Sequence, residues 1–273
     1  MMCGMTEFRS PLAADANEGR IALVTGGGTG IGRAAARELA RTSARVAICG
    51  RRPEPLETVR AELTEAGHEV LAVPCDVREP EEVSALVDAV LERFGRIDVL
   101  VNNAGGQFVS QPESISLKGW RAVHRLNVDA AWDLTRTVAE RSMIPERRGL
   151  VVFIGFSPRR GMPLMAHSAA ARAAMENLAG SLAIEWSRYG IRAVSIACGA
   201  IDTEGMQGYG EAIVQQAIDT VPLGRLGLPE EVGSLIAFLA SPGGAYITGT
   251  TIVVDGGIDA WGLGFPPPKP EEG

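Results

Sequence analysis

The chain has 273 residues, 46% of them hydrophobic and 22% charged, a balance that fills one α/β core without a second domain. Its formal net charge of −7 argues against a general nucleic-acid binder, which needs a basic face toward phosphates. No apolar run reaches the roughly 18 residues of a membrane span, so no membrane partner is expected.

Residues 1–19 lack the apolar stretch of a signal peptide and read as a flexible leader. From Arg20 on, short β-rich runs alternate with helical segments. The predicted strands are Ile21–Thr25, Arg45–Cys49, Val70–Cys75, Ile97–Asn102, Leu150–Gly155, Arg192–Ala197 and Thr250–Val254. Most are continuous Val/Ile/Ala/Leu runs, the pattern of parallel strands covered on both faces. Between them, Glu81–Phe94 aligns Val83, Leu86, Val87, Val90 and Leu91 on one helical face. Pro229–Ala240 starts with proline and aligns Val232, Leu235, Ile236 and Leu239 in the same way. This alternation predicts one α/β domain over 20–262, a Rossmann-type, doubly wound, seven-stranded parallel sheet. The proline-rich tail, 263–273, stands apart from it. Cys3, Cys49, Cys75 and Cys198 are scattered with no CxxC spacing and no metal-ligand pattern. They read as reduced thiols of a cytoplasmic protein without a metal.

After the first strand comes Thr25-Gly26-Gly27-Gly28-Thr29-Gly30-Ile31-Gly32, and a helix opens at once with Arg33. Gly26 permits the tight turn, Gly30 lets backbone approach a pyrophosphate, and Gly32 allows close packing. The helix N-terminal N–H groups then face the phosphates. The second strand ends in Arg51-Arg52, where an acidic residue would bind the ribose 2′-OH of NAD. Two guanidinium groups instead favour a 2′-phosphate, hence NADP(H).

The GxxxGxG spacing, Asn102-Asn103-Ala104-Gly105 and the late Val254-Asp255-Gly256-Gly257 resemble the short-chain dehydrogenase/reductase family over residues 20–257. The resemblance implies strand order 3-2-1-4-5-6-7 and a homotetramer. It implies cofactor contacts for Thr29, Ile31, Asp76, Val77, Asn103, Ala104, Gly105, Gly199, Ile201 and Thr203. Most members use Asn, Ser, Tyr and Lys, with Tyr and Lys stacked four apart on one helix. Here Asn127 matches the family Asn, but Ser168 holds the Tyr position and Arg172 the Lys position, where it is expected to contact the nicotinamide ribose. The Ser position falls at Phe156 or Ser157.

A carbonyl reductase needs a positioned acid to protonate an alkoxide, and neither serine nor arginine fills that part. Reduction of an α,β-unsaturated thioester asks for less, because hydrogen-bond donors stabilise an enolate without giving up a proton. Two stretches, Gly105-Gly106-Gln107-Phe108 and His167-Ser168 through Ala173, are similar to the peroxisomal trans-2-enoyl-CoA reductase group. That group also has Ser and Arg at these two helix positions. The expected reaction is therefore NADPH-dependent reduction of a trans-2-enoyl thioester, as acyl-CoA. A 2,4-dienoyl-CoA reductase, or an NADP-binding protein with decayed catalysis, are the alternatives. His167 is expected behind the site or at the surface, Arg159-Arg160 as a solvated loop pair with an approach to the CoA phosphates as the alternative, and 204–221 as a mobile lid. Ser168 is expected to donate to the enolate, with a helix cap as its plainer reading.

Overall fold

The computed structural model of the chain describes residues 8–156 and 161–261. Its strands are β1 (Ile21–Thr25), β2 (Arg45–Gly50), β3 (Val70–Pro74), β4 (Val99–Asn102), β5 (Gly149–Phe156), β6 (Ile191–Cys198) and β7 (Thr251–Val254). All pair in parallel, in the order β3-β2-β1-β4-β5-β6-β7. This is the seven-stranded doubly wound sheet expected from the alternation of elements, each boundary lying within two residues of its expected place. The helices are α1 (Gly30–Arg41), α2 (Pro53–Glu65), α3 (Pro80–Phe94), α4 (Leu117–His124), α5 (Ala130–Val138), the short α6 (Ile144–Glu146), α7 (Ala166–Glu185), α8 (Glu204–Gln207), α9 (Glu211–Asp219), α10 (Pro229–Ala240) and α11 (Ile258–Trp261).

Every side chain of β1 is buried, and successive residues feed two different cores. Ala22 and Val24 join α1, α2 and α10 on one face, through Leu39, Leu56 and Ile236. Ile21 and Leu23 join α3, α5 and α7 on the other, through Val87, Leu134 and Met175. A strand sandwiched in this way has no polar face, which is why the strand runs are uninterrupted in sequence. The strand order reverses between β1 and β4, and both strands carry their C-terminal ends to the same edge, where an open cleft forms. At the opposite edge, buried Asp98 accepts from the Ile21 N–H at 2.9 Å and pairs with Arg96 and Arg148, tying β1 to β4 and β5.

The leader is not loose along its described length. Asn17 is buried and donates to Thr42 Oγ1 at 2.8 Å and to the Ala237 carbonyl at 3.0 Å. Ser10 donates to Glu38, and Arg41 donates to the Leu12 carbonyl at 3.0 Å. Local composition is polar here, but side chains of α1 supply partners that composition does not reveal.

Candidate active site

The glycine-rich turn is locked by its neighbours. Gly26 sits at φ +66°, where a side chain is strained, and its N–H bonds the Cys49 carbonyl at 2.8 Å. A Cβ at Gly32 would strike the Gly26 carbonyl and lie 2.6 Å from Asn103 Nδ2. Gly32 therefore allows the first turn of α1 to close on the loop, an approach no larger residue permits. Thr25 Oγ1 accepts from the N–H groups of Asn103 and Ala104 at 2.9 and 2.8 Å, and Asn103 Nδ2 donates to the Thr25 carbonyl at 2.8 Å. These bonds bring the ends of β1 and β4 together into one wall.

The cleft is lined by Gly26, Gly28, Thr29, Arg51, Arg52, Asp76, Val77, Ala104 and Gly105, together with Cys75 and Leu126. Nine residues predicted for cofactor contact or its glycine turn thus share one surface. Arg51 and Arg52 are exposed at its rim. Asp76 is gripped by Arg78, with Arg78 Nε 2.9 Å from Asp76 Oδ1, and this bond holds its carboxyl down at about 2. The cysteines, scattered in sequence, are not all apart in space: Cys75 sits close enough to Cys49 to push the buried Cys49 thiol up, while Cys49 draws Cys75 down. Ile31 packs into the core beside α1 rather than lining the cleft. Gly199, just past the end of β6, does not line the cleft; its N–H bonds the Val254 carbonyl at 2.9 Å, and a Cβ there would strike Asp255. Ile201 is buried and bridges to Gly227. Thr203 caps α8 and sets its methyl over Gly30.

The other side of the cleft is made by side chains. Asn127 lies in a widened π turn, Arg125–Asp129, between α4 and α5. Its Nδ2 donates to the carbonyls of Val123 and Gly106, both at 2.8 Å, and its Oδ1 accepts from the Gly106 N–H at 3.3 Å. Asn127 therefore clamps Gly106 from both sides. Arg172 donates to the Ile154 carbonyl, and its guanidinium lies so close to Gly105 that a Cβ there would strike it. Burial lowers the Arg172 pKa to about 10, and its Nε is buried without a partner. Ser168 is fully buried and donates to Gln107 Oε1 at 3.1 Å. Asn127 and Ser168 thus bond Gly106 and Gln107 of the loop after β4, and Arg172, bonded to Ile154, lies against Gly105 beside them.

This geometry removes two plainer readings. Ser168 does not cap α7, because the helix begins at Ala166 after Met165. Arg172 is not a surface arginine. His167 is neither at the surface nor solvated: it is fully buried, its ring 4.2 Å from that of Phe108, and both its nitrogens lack partners. Gln107 was given no role by the sequence reading. Its signal was its place directly behind two glycines at the end of a strand facing the cleft, but a partner 61 residues away leaves no local pattern. Ser157, Arg159 and Arg160 lie outside the described residues.

The cleft fits a dinucleotide on two observations: a glycine cradle that a Cβ would fill, and, beside Gly105, a half-buried arginine whose buried Nε has no partner. Among the described residues no cluster of His, Cys, Asp or Glu is arranged to hold a metal, and no helix is long and apolar enough to cross a membrane.

Comparison with known proteins agrees with this architecture. A family model described as Enoyl-(Acyl carrier protein) reductase matches residues 26–259. The chain is 34% identical over 245 residues to a probable (2E)-enoyl-CoA-producing 2,4-dienoyl-CoA reductase of Bacillus subtilis, covering 88% of this chain and 96% of that one. Among solved structures it is similar to a citronellol catabolism dehydrogenase of Pseudomonas aeruginosa, with TM-score 0.82 and 39% identity over 92% of this chain and all of the other. A putative NAD(P)-dependent gluconate 5-dehydrogenase from Beutenbergia cavernae, with bound NADP, gives TM-score 0.84 at 33% identity over 91% of this chain and 100% of that one. The chain belongs to the short-chain dehydrogenase/reductase family of oxidoreductases.

Proposed function

We propose that this enzyme uses NADPH to reduce the C=C bond of trans-2-enoyl thioesters, carried as acyl-CoA. The observation that carries the reading is the bonding of Asn127 and Ser168 to Gly106 and Gln107, with Arg172 against Gly105, built with no tyrosine or lysine at the two helix positions where the family usually has them. When bound, the cofactor supplies a hydride to the β-carbon, and negative charge gathers on the thioester oxygen.

The chain's own residues are arranged for that charge. Ser168 Oγ–H donates a hydrogen bond to Gln107 Oε1, which leaves the Gln107 amide N–H groups as donors. Gln107 is exposed on the loop that follows the cleft residue Gly105, so in this reading its donors serve an enolate oxygen. Ser168 then acts by orienting the amide, a different part from the direct donation expected of it. Arg172 keeps its charge even at about 10, far above working pH, and stands beside Gly105 as a fixed positive potential. Asn127 holds the intervening Gly106 and so keeps the loop in register. None of these groups must lose a proton, which suffices to hold an enolate but would leave an alkoxide without its acid. The proton for the α-carbon comes from solvent in this scheme.

Arg51 and Arg52 at the rim, with no carboxylate at the end of β2, support NADPH over NADH. The bound NADP in the Beutenbergia structure is consistent with that choice. The reading includes a cytoplasmic homotetramer on family likeness. A second reading is 2,4-dienoyl-CoA reduction, favoured by the name of the Bacillus relative. The same donors would then face an extended dienolate.

The test is NADPH oxidation with (2E)-enoyl-CoA, (2E,4E)-dienoyl-CoA and matched ketones. Enoyl turnover without ketone turnover is the expected result. Faster dienoyl turnover selects the second reading, and ketone reduction or tight NADPH binding without any turnover rejects both.

A further inference from the structure

The N-terminus of α1 carries no acidic residue in its own first turn, as an anion-binding helix end should. Yet an anion of the chain itself is seated there. Glu204, at the start of α8 and 174 residues away in sequence, accepts the Gly30 N–H at 3.0 Å on Oε2 and pairs with Arg33 at 2.7 Å through Oε1. Thr203 next to it lays its methyl on Gly30. The open cleft runs along Gly26, Gly28 and Thr29 and stops short of Gly30, where this segment covers it.

The covering segment is built to move as a unit. Its base is fixed: Asp202 N–H bonds the Gly227 carbonyl at 2.8 Å, and Gly227 N–H bonds the Ala200 carbonyl at 2.9 Å. Between these anchors, α8 and α9 bury no residue. Gln207 Nε2 donates to Asp202 at 2.6 Å within the base, Met206, Val214, Ala217 and Ile218 are half-buried, and among the described residues the ionic contact that ties 203–219 to α1 runs through Glu204. Gly208 and Gly210 flank the junction of the two helices. The Glu204 carboxylate is therefore the charged contact that seats the segment on the end of α1.

We propose that Glu204 is a latch, its carboxylate standing in for the cofactor's pyrophosphate at the α1 N-terminus and giving way when the cofactor arrives. This rests on the NADPH reading of the cleft. The Gly30 N–H is a single donor, and a carboxylate and a pyrophosphate crowded against one helix end repel each other. Binding of the pyrophosphate therefore expels Glu204 and frees α8 and α9, so the acyl substrate meets a released lid only after the cofactor is in place.

The test is equilibrium binding to Glu204→Gln, read by NADPH fluorescence and, in parallel, with adenosine 2′-monophosphate, which has the 2′-phosphate but no pyrophosphate. The latch predicts NADPH binding about two- to fivefold tighter in the variant, the scale of losing one half-exposed ionic contact. Binding of adenosine 2′-monophosphate should not change. Hydrogen exchange at 204–210 should be faster in cofactor-free Glu204→Gln than in cofactor-free wild type, and NADPH should produce the same acceleration in wild type. Glu204→Asp, with its shorter reach, should fall between the two in both readouts. Unchanged or weaker NADPH binding overturns the latch, as does equal tightening of both ligands, which would reflect only one negative charge fewer. If neither protein binds NADPH, the cofactor reading and the latch fall together. If both bind it equally, only the latch falls.

Discussion

The two walls of the cleft are made of different material. The β1–α1 wall is backbone and glycine: Gly26 and Gly32 fit because nothing larger fits, and Thr25 and Asn103 lace two strand ends together. The facing side is a three-residue loop bonded by Asn127 and Ser168 and flanked by Arg172, with no residue forced by backbone closure. The first wall constrains sequence through packing, so a substitution there costs fold and cofactor together. The second constrains it through hydrogen-bond chemistry, so a substitution there should cost turnover and leave the fold alone.

Matched glycine substitutions are the sharpest way to break that comparison. Gly32→Ala places a methyl against the Gly26 carbonyl, which is backbone and cannot step aside. We expect about 1–3 kcal/mol of destabilisation and loss of measurable NADPH binding, read by thermal unfolding and fluorescence titration. Gly105→Ala places its methyl against the far end of Arg172, a side chain able to shift. Its Tm should stay near wild type while turnover collapses. Equal losses of stability in the two variants would erase the distinction.

Within the second wall, Gln107→Ala should reduce kcat and kcat/KM together by roughly 10²-fold, by analogy with an oxyanion-hole donor. Ser168→Ala should reduce both by a smaller factor, because it leaves the amide present but free to turn. The double variant should be no worse than Gln107→Ala alone, since Ser168 acts through Gln107. Additive losses would instead restore Ser168 as a direct donor. At the rim of the first wall, Arg51→Ala with Arg52→Ala should weaken NADPH binding by about tenfold while NADH binding barely changes.

The smallest effect separates the walls by pH. Burial, with His124 nearby, lowers the pKa of His167, so the folded protein holds this imidazole neutral. That contribution is full above the unfolded value near 6.5 and is lost as pH falls below it toward the folded pKa. Asp76 is shifted down to about 2 by Arg78, so its contribution is present above the ordinary carboxylate range and lost only as pH falls through about 2. Thermal unfolding from pH 7.5 to 5.5 should therefore show a drop that His167→Leu flattens and Asp76→Asn leaves in place.

The same contrast explains what could be read from sequence. The seven strands, the helix from Pro229 and the glycine turn are local patterns of two, 3.6 or a few residues, and they emerged within two residues of their places. Arg172 and Asn127 were found because their positions belong to a known spacing. The acceptor of Ser168, the burial of His167 against Phe108, the docking of Asn17 under α10 and the reach of Glu204 to Gly30 are all contacts between side chains or turns far apart in sequence. No periodicity encodes such a contact, since its partners are brought together only by the order of strands in the sheet.

In this reading the hydride goes to the β-carbon of a C=C bond rather than to a carbonyl carbon, beside donors that keep their protons. The direct measurement is the fate of deuterium from stereospecifically labelled [4-²H]NADPH, incubated with a (2E)-enoyl-CoA and the product examined by NMR. The account predicts a saturated acyl-CoA with deuterium at C3 and a solvent proton at C2. Deuterium on an oxygen-bearing carbon, in an alcohol made from a ketone while the enoyl thioester is untouched, would contradict it.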